Sequence, residues 1–202
     1  MKTALALLSV VSALAVTAAV FPLPNPTRPA GFPLNRPALT GKVVAWGAND
    51  VGQTNIQAGL RDVVALAAGE EHTVALTADG KVVAWGANNL GQCNVPLDLN
   101  GVVAIAASGS FSLALRNDGR VFAWGHGGNG QLLVPVELND AVAIAAAPSH
   151  AIALRLNGAV VAWGDGAAFE QAPPYPAVAI AGSTRRTLAI RDDSSISGRV
   201  DE

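Results

Sequence analysis

The sequence predicts an all-β protein built from repeats, and three observations carry that prediction. A Trp-Gly pair recurs at Trp46-Gly47, Trp85-Gly86, Trp124-Gly125 and Trp163-Gly164, at a constant interval of 39 residues. Ahead of these pairs Gly41, Gly80, Gly119 and Gly158 keep the same interval. Between the marks lie short apolar runs ended by turn residues, the pattern of strands buried on both faces.

The unit from Asp62 to Leu97 shows how each element is expected to form. Val63–Ala68 is a continuous apolar run stopped by Gly69 and reads as a first strand. His72–Thr77 is a second, with Val74 and Leu76 on one face. Asp79-Gly80 tolerates the positive φ angles of a tight hairpin and leads into a third strand, Lys81–Trp85, closed by Gly86. Gln92–Val95 is expected as a short fourth strand before Pro96. Four strands in each ~39-residue period predict a β-propeller blade. Such a blade is apolar on both faces and must stack on its neighbours. The alanines recurring before each tryptophan (Ala45, Ala84, Ala123, Ala162) let sheets approach closely. The tryptophans at 46, 85, 124 and 163 then fill the outer gaps as packing residues rather than as a sugar-binding surface.

Gly125, Gly127 and Gly130 spell G-x-G-x-x-G, the form of a loop that wraps dinucleotide phosphates. That chemistry needs a helix opening after the loop, and Leu132-Leu133-Val134-Pro135-Val136 is β-rich and broken by proline. The phase-matched loops Gly47–Gln53 and Gly86–Gln92 show a repeat turn in which Gly127 replaces an asparagine. No cofactor is expected.

The array starts inside a unit, at the third strand Lys42–Trp46, and ends with the first two strands of another, Ala177–Ala181 and Thr187–Asp192. Pairing of the N-terminal strand with the C-terminal hairpin would close a four-bladed ring and remove its exposed edges. The alternative is an open four-blade arc, which would pair with a second copy into an eight-bladed ring, a homodimer.

The ends of the chain differ in composition. Lys2, the apolar run from Ala4 to about Val16 and the small residues Thr17, Ala18 and Ala19 form the three-part pattern of a signal peptide over 1–19. Residues 20–40 carry six prolines, from Pro22 to Pro37, and read as a proline-rich linker. The repeat domain is expected over 41–192, with a polar tail at 193–202. A secreted, extracellular product without a membrane anchor after cleavage follows. Cys93 stands alone in place of Thr54 and reads as a small filler. A net charge of −2 offers no basic footprint for nucleic acid.

The segment VVALAAGEEHTVALTADGKVVAWGANNLGQ resembles the regulator of chromosome condensation repeat, whose blades run from an apolar strand through x-x-H-S-L-A-L and D-G to W-G and G-Q. The resemblance covers Gly41 to about Asp192 and implies a β-propeller. The period and the secretory leader look closest to a compact secreted branch that includes a bacterial β-lactamase inhibitor propeller. Family members usually carry seven blades, and this chain departs from that number. His72 and His150 hold the repeat's histidine position, but Phe111 and Arg186 occupy its other places. The loop from Gly164 to Pro176 has lost its G-Q ending and gained Pro173-Pro174-Tyr175-Pro176.

Catalytic chemistry is not expected. His72 and His150 recur in different blades and read as structural, donating to a backbone carbonyl. His126 has no ligand-spaced partner, and Asp79 and Asp118 belong to D-G turns. Asp50 and Asp165 lack the dense acidic pattern of a calcium loop. The expected function is a secreted, non-catalytic module that binds a protein partner through blade loops. Candidate contact residues are Glu70, Glu71, Phe111, His126, Phe169, Tyr175, Arg185 and Arg186. Two alternatives stand beside it. One is enzyme regulation of the kind the resemblance implies, as a β-lactamase inhibitor or a guanine-nucleotide exchange factor. The other is a degenerate repeat fragment without function.

Overall fold

The structure, a computed structural model, describes residues 42–165, 176–184, 186–191 and 196–198. Its strands are β1 (Val63–Ala68), β2 (His72–Thr77), β3 (Val82–Gly86), β4 (Val102–Ser108), β5 (Phe111–Arg116), β6 (Val121–Gly125), β7 (Ala141–Ala146), β8 (His150–Arg155), β9 (Val160–Gly164), β10 (Ala177–Ser183), β11 (Arg186–Arg191) and β12 (Ile196–Gly198). They form four antiparallel sheets in chain order, β1-β2-β3, β4-β5-β6, β7-β8-β9 and β10-β11-β12. The fold is all-β, as the repeat predicts. Each sheet has three strands rather than the four expected of a blade. The reason lies in the loop: Gln92–Val95 satisfies its own amides, with Asn94 N donating to Gly91 O (3.0 Å) and Val95 N to Cys93 O (2.9 Å). With those groups turned inward, no ladder to β3 forms.

The same local device opens every sheet. β1, β4, β7 and β10 each carry an extra residue in the ladder to the next strand, at Val64, Val103, Val142 and Val178. Such a bulge bends the strand and increases its twist. The sheets stack through these first strands: β4 lies on β1 and β2, β7 on β4 and β5, and β10 on β7 and β8. The hairpins reach forward as well. Gly80 O accepts from Val102 N, Gly119 O from Ala141 N and Gly158 O from Ala177 N, at 3.3, 3.0 and 2.8 Å. One sheet's turn thereby caps the next sheet's first strand.

Burial concentrates between sheets. Val74, Leu76, Ile105, Ala107 and Trp124 share one cluster at the first junction. Phe111, Leu113, Ile144, Ala151 and Trp163 share another at the second. Trp85, Trp124 and Trp163 are buried as the packing reading requires. Trp46 is not: it is 54% exposed, because the segment Lys42–Trp46 forms no strand and packs on the first sheet only through Val43. Among the described residues the clasp expected of that segment does not form. β11 instead pairs with β12, Ile196–Gly198, drawn from the stretch expected as a polar tail.

Candidate functional site at the turn and loop end

One end of the stack gathers the turns between first and second strands and the loops that leave the Trp-Gly pairs. The link is a backbone bond repeated three times: Ala87 N donates to Glu71 O, His126 N to Ser110 O and Asp165 N to Ser149 O, at 2.9, 2.9 and 3.0 Å. Neighbouring turns also touch, since Glu70 N donates to Gly109 O at 2.9 Å. A file therefore runs across the sheets from Glu70 and Glu71 through Gly109 and Ser110 to Pro148 and Ser149. The glycine of each Trp-Gly pair is required by this contact. Gly125 has φ +104°, and a Cβ there would lie 2.5 Å from Ser110 O.

The loops are held rigid by the Gly-Gln that ends them. Gln92 Oε1 accepts from Leu90 N and Gln131 Oε1 from Asn129 N, both at 2.9 Å, which closes each loop on itself. The glutamine carbonyls serve the following unit. Trp85 Nε1 donates to Gln53 O, Trp124 Nε1 to Gln92 O and Trp163 Nε1 to Gln131 O, at 3.0, 3.0 and 2.8 Å. Loop and sheet are thus coupled at the first three sheets, a polar role for the tryptophans that composition alone did not suggest.

The third loop breaks the pattern. In the first two, Asn49 Nδ2 donates to Asn55 Oδ1 and Asn88 Nδ2 to Asn94 Oδ1, both at 2.8 Å. At the matching places stand Gly127 and Leu133, and the Leu132 side chain occupies the space beside Gly127, where a Cβ would meet it at 2.9 Å. The His126 ring folds over Gly128 in the same way. The result is a loop that exposes both a histidine, His126, and an aliphatic side chain, Leu133, the latter 76% exposed. Leu133 was missed from sequence; the loss of the paired asparagines was the signal that could have found it.

The expected contact residues divide. Glu70, Glu71 and His126 are exposed at this end, and Arg186 is exposed at the start of β11. Phe111 is a correction. It is 0% exposed, packed with Leu113, Ile144 and Ala151, and cannot meet a partner. Phe169, Tyr175 and Arg185 lie outside the described residues.

Phe111 stands where the other units place a histidine, and the replacement is matched across the junction. His72 Nε2 meets Ser112 Oγ at 2.8 Å, and His150 Nε2 meets Thr187 Oγ1 at 3.3 Å. The partner position for Phe111 is Ala151, which has no hydroxyl to strand. Both histidines therefore meet a hydroxyl on a neighbouring sheet, and for His72 this takes the place of the backbone carbonyl expected. Ser112 Oγ donates onward to Gln92 O at 3.3 Å, so its single proton is used and Nε2–H of His72 is the donor toward it. His72 Nδ1 is buried without a partner, as a bare lone pair allows. Burial lowers the His72 pKa from 6.5 to about 4.

The opposite end of the stack carries the ion pairs Lys81–Asp79, Arg116–Asp118 and Arg155–Asp140, at 2.8, 3.2 and 2.7 Å. A hydrogen bond from Lys81, reinforced by Thr77, holds the Asp79 carboxyl down at about 2. Cys93 is half-buried, its Sγ donating to Ala87 O at 3.2 Å, and burial pushes the thiol up. Among the described residues no three His, Cys, Asp or Glu side chains converge as a metal site.

Stacked three-stranded sheets joined by Trp–Gln bonds define a propeller-type repeat scaffold. Residues 63–92 and 102–131 match the regulator of chromosome condensation (RCC1) repeat, so the chain carries copies of the repeat on which that family of β-propeller proteins is built. Three solved structures share the fold. Human WBSCR16 matches at 20% identity and a TM-score of 0.56, over 67% of this chain and 47% of that one. The CRINKLY WD40 ectodomain of the Arabidopsis thaliana receptor kinase ACR4 matches at 21% and 0.56, over 68% and 49%. The ectodomain of the Physcomitrella patens receptor kinase CR4 matches at 18% and 0.57, over 68% and 38%. The chain spans less than half the length of each. Comparison with curated protein sequences gives no match.

Proposed function

We propose that this chain is a secreted, non-catalytic module that binds a protein partner with the turn and loop end of its repeat stack. One observation carries the reading. The third loop abandons the asparagine pair that locks its two predecessors and exposes His126 and Leu133 on a scaffold otherwise held by repeated bonds. Loops carried on a fixed framework are where recognition concentrates, and a loop that exposes both an apolar and a polar side chain suits a protein surface. The acidic pair Glu70 and Glu71 at the head of the same file gives that surface a charged margin. Export rests on the pattern of Lys2, the apolar run and Ala18-Ala19.

Two measurements test the proposal. Immobilised chain is used to capture partners from the medium of the source organism, beside a His126→Ala/Leu133→Asp variant. Retention by the wild type and loss by the variant, at equal melting temperature, is expected. Equal capture by both would remove this loop from the interface. N-terminal sequencing of the exported product is expected to begin after Ala18 or Ala19, and a product that begins at Met1 would overturn the leader.

A further inference from the structure

The last sheet leaves uncovered the positions that every earlier sheet seals. Leu188 and Ile190 of β11 hold the register of Val74 and Leu76 in β2 and of Ile152 and Leu154 in β8. Those four are buried, but Leu188 and Ile190 are 40% and 42% exposed. At the first junction the surface that covers Val74 and Leu76 consists of Val102, Ile105 and Trp124, backed by Val95 and Leu99. The repeat places Val63, Leu66, Trp85, Ile56 and Leu60 at the corresponding points of the first sheet. Ile56 remains 36% exposed there, whereas its counterpart Val95 is half-buried in the junction.

The first sheet also has an open socket. Within the chain each hairpin turn sits against the next unit, Gly80 against Gly101 and Val102, Gly119 against Asn139 and Asp140, and Gly158 against Pro176 and Ala177. Around the matching Asp62, a groove of about 630 Å³ bounded by Gln57, Leu60, Arg61, Thr77 and Val83 lies open. Beside it runs Lys42–Trp46, in phase with the third strands yet forming none, with Val44 75% and Trp46 54% exposed. By register its place is along β11 from Leu188 to Ile190, which among the described residues the three of β12 occupy.

We propose that the chain associates head to tail with a second copy of itself. The front of the first sheet and Lys42–Trp46 of one copy dock on β10 and β11 of the other, and that strand displaces β12. The junction repeats the one formed three times within the chain, so the two surfaces are complementary because they are copies of surfaces that already pack together. They belong to one molecule, yet Leu188 and Ile190 stay exposed in it, which favours a second copy as the occupant. A four-sheet ring would need a quarter turn at each junction, whereas two copies closing an eight-sheet ring need an eighth. The contact is heterologous, and two of them close a symmetric dimer.

Light scattering on the purified full chain is expected to give the dimer mass. A tail variant (Leu188→Asp/Ile190→Asp) and a head variant (Val44→Asp/Trp46→Asp) should each be monomeric. Their mixture should form a heterodimer through the one intact junction, as only a head-to-tail contact allows. A monomeric wild type, or a mixture that stays monomeric, overturns the proposal. Covalent trapping tests the same register without disruptive charges. The β2–β3 ladder sets Val83 opposite Ala75, so Val44 should oppose Ala189. In a Cys93→Ser background, Val44→Cys/Ala189→Cys should oxidise to a bridged dimer. A bridge at monomer mass would reveal an intramolecular clasp and overturn the second copy, and absence of any bridge would overturn the register.

Discussion

His72 Nε2 lies 2.8 Å from Ser112 Oγ, across the boundary between the first and second sheets, and one unit later the same two positions are Phe111 and Ala151. The pair is polar in both partners or apolar in both. A histidine facing Ala151 would leave a buried donor without an acceptor, and a phenylalanine facing Ser112 would remove the donor toward its Oγ, leaving that hydroxyl only its bond to Gln92 O. The chain's own repeats thus contain the compensated exchange that a double-mutant cycle sets out to make.

That relationship makes stability depend on pH in a defined direction. Burial holds the folded His72 pKa near 4, below the unfolded value of 6.5. Below 6.5 the unfolded chain binds the proton more readily, so the stability of neutral His72 is present above 6.5 and is lost as pH falls toward 4. The loss expected from this residue is on the order of 3 kcal/mol. Melting temperatures of wild type and His72→Phe/Ser112→Ala should converge between pH 7 and pH 4. A double variant that keeps the wild-type pH slope would show that the proton is taken up elsewhere.

The four tryptophans should not respond alike. Trp124→Ala removes a buried ring and its bond to Gln92 O and should cost roughly 3–5 kcal/mol. Trp46→Ala touches a half-exposed side chain and should stay within about 0.5 kcal/mol for the unfolding of a single copy. Chemical denaturation at low protein concentration measures both. Equal losses would mean that Trp46 is packed like the others.

Two glycines close together in the third loop should separate backbone strain from side-chain crowding. Gly125→Ala puts a Cβ at φ +104° against Ser110 O and should lower stability by at least about 2 kcal/mol. Gly128→Ala meets only the exposed His126 ring, which can swing away, and should cost under about 1 kcal/mol. Comparable losses would contradict the backbone contact as the reason for the Trp-Gly pair.

Rebuilding the regular loop should remove function and keep the fold. Gly127→Asn alone crowds Leu132 and should destabilise by about 1–2 kcal/mol. Gly127→Asn/Leu132→Thr/Leu133→Asn copies the first loop, where Asn49 also accepts from Thr54 N at 3.1 Å, and should recover that loss. The triple variant is expected to fold as wild type and to release the captured partner. Retained capture would place recognition on another part of this end.

The sequence by itself determined the features that depend on near neighbours. Strands, Asp-Gly turns and the Trp-Gly period are written in residues a few positions apart, and the stacked all-β architecture follows because a sheet apolar on both faces has to be covered. The false dinucleotide motif could also be dismissed locally, since a proline-broken β-rich segment follows it. Tertiary structure decided everything that depends on what lies across a junction. Phe111 looked like an exposed departure from the repeat until Ala151 and Ile144 were found covering it. Trp46 carries the same signature as Trp85 but lacks a sheet to bury it, and burial belongs to the pair of surfaces rather than to the residue. Gln92–Val95 has strand-like residues, yet its amides find closer partners within the loop than any ladder could offer. The edge of β11 accepts Ile196–Gly198 because backbone pairing needs only a free edge and an extended partner, a requirement that repeat phase cannot express.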